Sequence, residues 1–293
     1  MDALTATFAH AAAALSDAVL MLVIPTVVFG GVALLAKRRR AVANAFRAAD
    51  EVRLNLLIHF FDALLVGPIL AVLAVAMTET MQAHELQLIG TEAWAGVPAV
   101  LVGFAAVFAG DFVGYWRHRL EHTRYLWPSH AVHHSDTEMT WTTLSRFHPI
   151  NRLSTTILDG AFLALLGLPP YAIVVNALVR HYYGYFVHAD LPWTYGPLRW
   201  VFVSPAMHRW HHALDRRAFD TNYATVFSCF DLAFGTFRVP GPCDAPLGVT
   251  DDMGKGFLDQ LTYALKPRAY RKWWRKKKPA VAAAALPVTT PAE

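Results

Sequence analysis

Eight of the chain's 14 histidines fall into three tight motifs. His118 and His122 stand four residues apart in HRLEH, and His130, His133 and His134 read HAVHH. His208, His211 and His212 read HRWHH, repeating the HAVHH spacing 78 residues further on. On a helix, residues at i, i+3 and i+4 share one side, so each motif is expected to project its imidazoles as one lateral cluster. Packing of an apolar helix gives no reason to repeat such a pattern, and the eight are read together as metal ligands. Eight nitrogens exceed the three or four protein ligands of a zinc site. Imidazole suits iron, and a pair of irons in one histidine-rich shell could activate dioxygen. The carboxylates do not form the Glu-x-x-His pairs of soluble di-iron bundles.

The remaining polar residues are weighed around that set. His188, in YGYFVHAD, is the candidate ninth ligand, while His181, seven residues earlier, is read as structural or supporting. Asp111, seven residues before His118, either orients a ligand or sits at an interface. His148 in RFHP either caps a helix or approaches a substrate pocket; His59 and His84 are read as uninvolved, and His10 has no supporting neighbour. Arg117, Arg119 and Arg124 are expected to face lipid headgroups. Asn151, Asp215, Asp220 and the Asn222-Tyr223 pair are expected to order the histidine segments by hydrogen bonds. Two cysteines, Cys229 and Cys243, are too few for a disulfide framework or an iron–sulfur site.

The elements that must carry these residues are membrane helices. Of 293 residues 55% are hydrophobic and only 16% charged, and the mean hydropathy is +0.31. A soluble helical core explains any one apolar segment but not the set. The first, Ala18 to Ala36, holds 19 residues without a formal charge, close to the length that crosses a bilayer. It is read as a retained helix rather than a signal peptide, because it is followed directly by KRRR at 37–40 and has no basic residues before it. A second runs from about Leu54 to Thr78 and a third from Ala93 through Gly110; the acidic loop between them suits the outer side. The fourth region, about Leu153 to Tyr185, is too long for one crossing and is broken by Pro169-Pro170, so a hairpin is preferred over one long helix. That hairpin returns the chain to the cytoplasmic side and reunites the histidine clusters. Trp116, Trp127, Trp193, Trp200 and Trp210 fit an interfacial aromatic belt. Basic clusters at 37–40 and 271–278 read as cytoplasmic flanks, and nucleic-acid binding is set aside.

The words DFVGYWRHRLEH, LWPSHAVHHSD and HRWHHALD, with SRFHP at 145–149 and FVHAD at 186–190, make the chain resemble the fatty acid hydroxylase and sterol desaturase superfamily over roughly residues 95–240. The resemblance implies hydroxylation or desaturation of a fatty acyl, sterol or related lipid at a non-haem di-iron centre, with O2 as co-substrate and two electrons from outside. It also implies that the histidines serve as ligands, none needing to act as a general base, and it supports His188 as one of them. The sequence carries no cytochrome-like domain, nucleotide fingerprint or cysteine cluster, so the expected electron donor is a separate ferredoxin, cytochrome or reductase. The alternatives weighed are a desaturase using the same centre, a non-enzymatic membrane metal carrier and a zinc-dependent membrane hydrolase.

The expected fold is an all-α integral membrane bundle with a cytoplasmic, histidine-rich di-metal cap, and the expected placement is the bacterial inner membrane. Residues 1–92 would hold the N-terminal membrane helices and outer loop, 93–240 the catalytic core, 241–278 an amphipathic basic segment, and 279–293 a disordered tail.

Overall fold

The computed structural model describes residues 2–271, with side chains from residue 12 onward. The end of the basic segment and the tail expected at 279–293 lie outside the described residues. Those described are helical, the nearest approach to a sheet being an isolated bridge between Ala213 and Leu247.

Helix α1 (Asp2–Lys37) carries Pro25 in its interior and ends at Arg38, whose φ of 53° breaks it before α2 (Arg39–Arg47). The sequence RRAVANAFR places arginines at both ends of a mostly apolar stretch, and α2 is a short connector that buries Ala41. Next, α3 (Ala49–Phe61) passes through a π-turn, Asp62–Val66, into α4 (Gly67–Ala83) without interruption. The π-turn directly precedes Pro68, which lacks an N–H and crowds the carbonyl four residues back. The loop after α4 folds inward: Leu88 N–H and Trp94 Nε1–H donate to the carbonyls of Leu165 and Leu166.

Helix α5 (Ala99–Glu121) brings in the first histidine pair, and α6 (Trp127–His134) carries the next three. A short α7 (Pro149–Ser154) runs through a second π-turn, Thr155–Asp159, into α8 (Gly160–Leu165). The chain then reverses at Leu166–Pro169 and returns as α9 (Pro170–His188), the hairpin expected from the adjacent prolines. Three smaller helices complete the cap: α10 (Pro205–His211), α11 (Cys229–Ala233) and α12 (Phe257–Tyr263).

Among the described residues, three helices are long and apolar enough to cross a membrane: Ala12–Lys37, Ala49–Ala83 and Ala99–Glu121. The hairpin arms pack beside the third of these. Glycines on α5 permit the approach of α9: a Cβ at Gly110 would meet Asn176 Oδ1 at 2.1 Å, and one at Gly114 would meet Arg180 at 2.0 Å. Val102 and Ala106 of α5 interlock with Leu163, Leu168 and Ala172 of the hairpin. A separate cluster joins Leu54 and Ile58 of α3 to Ala131 and Val132 of α6 and Tyr263 of α12, seating the cap on the membrane helices.

The tie between cap and membrane is reinforced by Arg146, only 1% exposed. Its guanidinium donates to Asn55 Oδ1 (2.6 Å), Ser135 Oγ (3.2 Å) and the Glu51 carbonyl (3.2 Å), and it pairs with the Glu51 carboxylate. Replacing it by alanine would remove the donor to Glu51 Oε2 and Asn55 Oδ1 in the same stroke and leave the buried Asp136 without its nearby cation. Arg146→Ala is therefore expected to cost about 3–5 kcal/mol of stability, read as an early thermal transition in detergent.

The tryptophan belt is only partly as expected. Trp116, Trp193 and Trp200 are exposed. Trp210, by contrast, is buried with its Nε1–H on the Gly241 carbonyl at 2.9 Å, and Trp127 packs against the His122 ring at 5.1 Å. Their sequence neighbours are the clustered histidines, whose burial draws these two rings inward.

Candidate metal centre

All nine histidines singled out in the sequence converge, in two adjacent groups. His118, His122, His130, His134 and His211 form one, and His133, His188, His208 and His212 the other; in each, the candidate ligand atoms lie within 4.8 Å of one another. Each HxxHH motif divides between the groups instead of forming one cluster. The reason is angular: at 3.6 residues per turn, consecutive side chains diverge by about 100°. His130 and His134 therefore face one group while His133 faces the other, and His208 and His212 part from His211 in the same way. The division places the groups side by side, with the His134 and His212 rings stacked at 4.3 Å.

The protons on these rings show what the groups can hold. His118 Nδ1 donates to the Tyr223 carbonyl, His211 Nδ1 to Thr221 and His188 Nδ1 to Gly184, each at 2.7 Å. A carbonyl only accepts, so in the neutral ring each Nε2 is left as a bare lone pair. His188 Nε2 faces His133 Nε2 at 3.1 Å and His208 Nε2 at 2.9 Å, and His208 Nε2 faces His212 Nε2 at 3.2 Å. One N–H on His208 cannot satisfy all these lone pairs, whereas a cation between them can. Neighbouring ligands on metal–nitrogen bonds of about 2.1 Å lie about 3 Å apart at right angles, matching these separations. In the first group His118 and His130 approach Nε2 to Nε2 at 3.0 Å, and the buried Nε2 atoms of His122, His134 and His211 have no hydrogen-bond partner.

Burial pushes the pKa of His122, His130, His133, His134, His208, His211 and His212 below the ordinary 6.5. The neutral imidazole is the form that binds metal. Because the folded pKa values are depressed, the unfolded chain takes up protons first as pH falls. Stability of the metal-free protein is expected to decline below about pH 6.5 and to be flat above it, which thermal unfolding between pH 5 and pH 8 will register.

The second histidine motif is held by the loop that follows it. Asp111 of α5 accepts the backbone N–H groups of Thr225 (3.1 Å), Val226 (3.0 Å) and Phe227 (2.7 Å). Asp231 accepts those of Tyr223 (2.7 Å) and Ala224 (3.0 Å). Two buried carboxylates thus fix the loop whose carbonyls at Thr221 and Tyr223 orient His211 and His118. Asn222 bridges Met207 and Arg238 backbone carbonyls, consistent with its expected ordering role. Asp220 lies 3.8 Å from His122 Nδ1, whereas Asp215 pairs with Arg217 and not with a histidine. Asn151 Nδ2 stands 3.4 Å from His130 Nδ1.

Two expectations need correction or extension. Arg117 does not face headgroups: its side chain is 12% exposed and binds Glu121 at 2.9 Å and Asp159 at 2.8 Å. Glu121, fully buried and absent from the residues singled out, places Oε2 at 3.3 Å from His130 Nδ1 while Oε1 accepts from Ser154 Oγ at 2.6 Å. A carboxylate behind a ligand imidazole fixes its tautomer and raises its basicity. The chain of charge continues from Asp159 to Arg180 at 2.9 Å, which stands 3.7 Å from Asp111. Arg119 is half-buried and Arg124 exposed. His148 caps α7, accepting from Ile150 N–H at 3.1 Å and using Nε2 on the Leu261 carbonyl at 2.8 Å. His59 contacts the Ala18 carbonyl, and His181 packs on Tyr185; neither joins the two groups.

Over residues 103–236 this helical frame with two adjoining histidine shells matches the fatty acid hydroxylase family model. An ornithine lipid hydroxylase of Rhizobium tropici is 35% identical over 57% of this chain and 51% of its own length. An alkylglycerol monooxygenase of Danio rerio is 29% identical over 65% of this chain and 41% of its own. A Delta(7)-sterol 5(6)-desaturase of Gibberella zeae is 28% identical over 44% of this chain and 36% of its own. The chain thus spans about half or less of the length of these relatives. No solved structure matches it.

Proposed function

We propose that the chain is an O2-dependent hydroxylase of a membrane lipid that works with two iron ions, one in each histidine group. The observation that carries this reading is the pair of adjoining shells of inward-facing, neutral imidazole nitrogens, set in a core whose relatives are lipid oxygenases by name. Bound iron would supply the redox chemistry by which O2 attacks an unactivated C–H bond. His118, His122, His130, His134 and His211 would hold one ion, and His133, His188, His208 and His212 the other. The protein's own part is orientation and exclusion. The carbonyls of Tyr223, Thr221 and Gly184 fix the ring tautomers, Glu121 supports His130, and burial of the rings keeps water from the centre.

The basic run at 37–40 lies on the same side as the cap, since Lys37 pairs with Asp190, two residues beyond His188. The positive-inside bias supports a centre on the cytoplasmic face, and on this reading the membrane is a bacterial inner membrane. There a separate ferredoxin, cytochrome or reductase would deliver electrons.

The test is lipid mass spectrometry under 18O2 of cells expressing the chain with a competent donor, against a His133→Ala/His211→Ala variant. A lipid that gains one oxygen atom from the labelled gas only in the wild type supports hydroxylation and names its class. Loss of two hydrogens without label would replace it by desaturation, and identical lipidomes would sink both.

A further inference from the structure

A groove of about 1250 Å³ lies between α1, α2 and α3 and the segment Glu138–Thr142. It exceeds the roughly 300–1,000 Å³ of sites for drug-sized ligands. Along α1 it reaches from Leu22 to Lys37, a run of about 22 Å at 1.5 Å per residue. Its walls over most of that length are apolar, including Leu22, Phe29, Val32, Leu57, Phe60 and Trp141. Charge is confined to one end, where Lys37, Arg47, Arg53 and Arg209 meet only two carboxylates, Glu138 and Asp190. Asp190 is already occupied by Lys37, by Arg209 at 3.2 Å and by Asn44 at 3.0 Å, and Glu138 by Arg47 at 3.0 Å. Arg53 pairs with no carboxylate among the described residues. Four cations against two anions leave two positive charges at the mouth of an otherwise oily slot.

The position is as informative as the charge. Asp190 follows His188 by two residues and Arg209 adjoins His208, so the charged end is built on the segments that carry the second histidine group. The apolar end runs along α1 and α3, which belong to two helices long and apolar enough to span a membrane.

We propose that this groove seats an acyl lipid whose phosphate head group carries a net negative charge, with one chain between α1 and α3 and the phosphate at Arg47, Arg53 and Arg209. A sterol or a plain hydrocarbon would leave the surplus positive charge at the rim unanswered. That the seated lipid is also the molecule oxidised rests on the function proposed above; that the lipid binds there does not.

Trp141 in the wall provides a readout independent of turnover. In the full chain in mixed micelles, phosphatidylglycerol brominated on its acyl chains should quench a component of tryptophan fluorescence that Trp141→Phe removes. Zwitterionic brominated phosphatidylcholine should need about tenfold more lipid for the same quenching, as should the Arg47→Gln/Arg209→Gln variant with phosphatidylglycerol, while Arg47→Lys retains binding. Equal quenching by both head groups, or quenching that Trp141→Phe leaves intact, would overturn the proposal; a brominated fatty acid that matches phosphatidylglycerol would overturn the phosphate assignment. Oxygenated lipid formed under 18O2 without Trp141 quenching would sink the groove and spare the oxygenase. Head-group-selective quenching without oxygenation would do the reverse.

Discussion

With one iron in each histidine group, as proposed above, His208→Ala is expected to lower the iron content of the purified protein from two ions per chain to about one, measured by elemental mass spectrometry against protein concentration. His208 Nε2 lies 2.9 Å from His188 and 3.2 Å from His212, at the middle of a set of four, so its removal leaves three nitrogens with a gap between His188 and His212. The neighbouring group has five histidines and keeps all of them. Hydroxylation should disappear with the lost ion, because O2 chemistry at a pair needs both members. His181→Ala serves as the control: that ring lies outside both groups and its loss should leave the iron count at two. If His208→Ala kept two ions, the division into five and four ligands would be wrong.

Much of this arrangement is legible in the sequence because the signal is local. HRLEH, HAVHH and HRWHH announce ligands by spacing alone, and Pro169-Pro170 announces the hairpin that brings His188 back to them. The split of each HxxHH motif between two groups is also implicit in helix geometry, although the sequence was expected to give one cluster per motif. What spacing cannot convey is partnership across the fold. Arg117 has the composition of an interfacial arginine, and only its placement against α8 shows Asp159 at 2.8 Å. Asp159 and Arg180 stand at the two ends of one uncharged stretch, 160–179; a lone charge in an apolar helix is itself the available sign that a buried partner exists. Glu121 carries no such sign, since it lies inside a ligand motif and no Glu-x-x-His pattern marks it. Its meaning comes from Ser154 and Arg117, which hold one oxygen and leave the other toward His130.

That buried row of charges carries the second large prediction. From Glu121 through Arg117, Asp159 and Arg180 to Asp111, the signs alternate and every member is buried or nearly so. Breaking such a row by removing Arg117 leaves the buried Glu121 without a cation and Asp159 with Arg180 alone, in a medium that solvates neither well. Arg117→Ala is therefore expected to destabilise the protein by about 3–5 kcal/mol, seen as a lowered unfolding temperature in detergent. Glu121→Gln should behave differently, since the amide keeps the shape and can still accept from Ser154 and Arg117. Its cost falls on the metal: loss of the carboxylate behind His130 should weaken iron binding about 10–100-fold, read by competition with a chelator, while the unfolding temperature of the metal-free protein changes less than in Arg117→Ala. A Glu121→Asp variant, which restores the charge on a shorter stem, should recover part of the affinity. Should Glu121→Gln bind iron as tightly as the wild type, the carboxylate would be a counter-ion for Arg117 alone, and the row a clamp between α5 and the hairpin with no bearing on the centre.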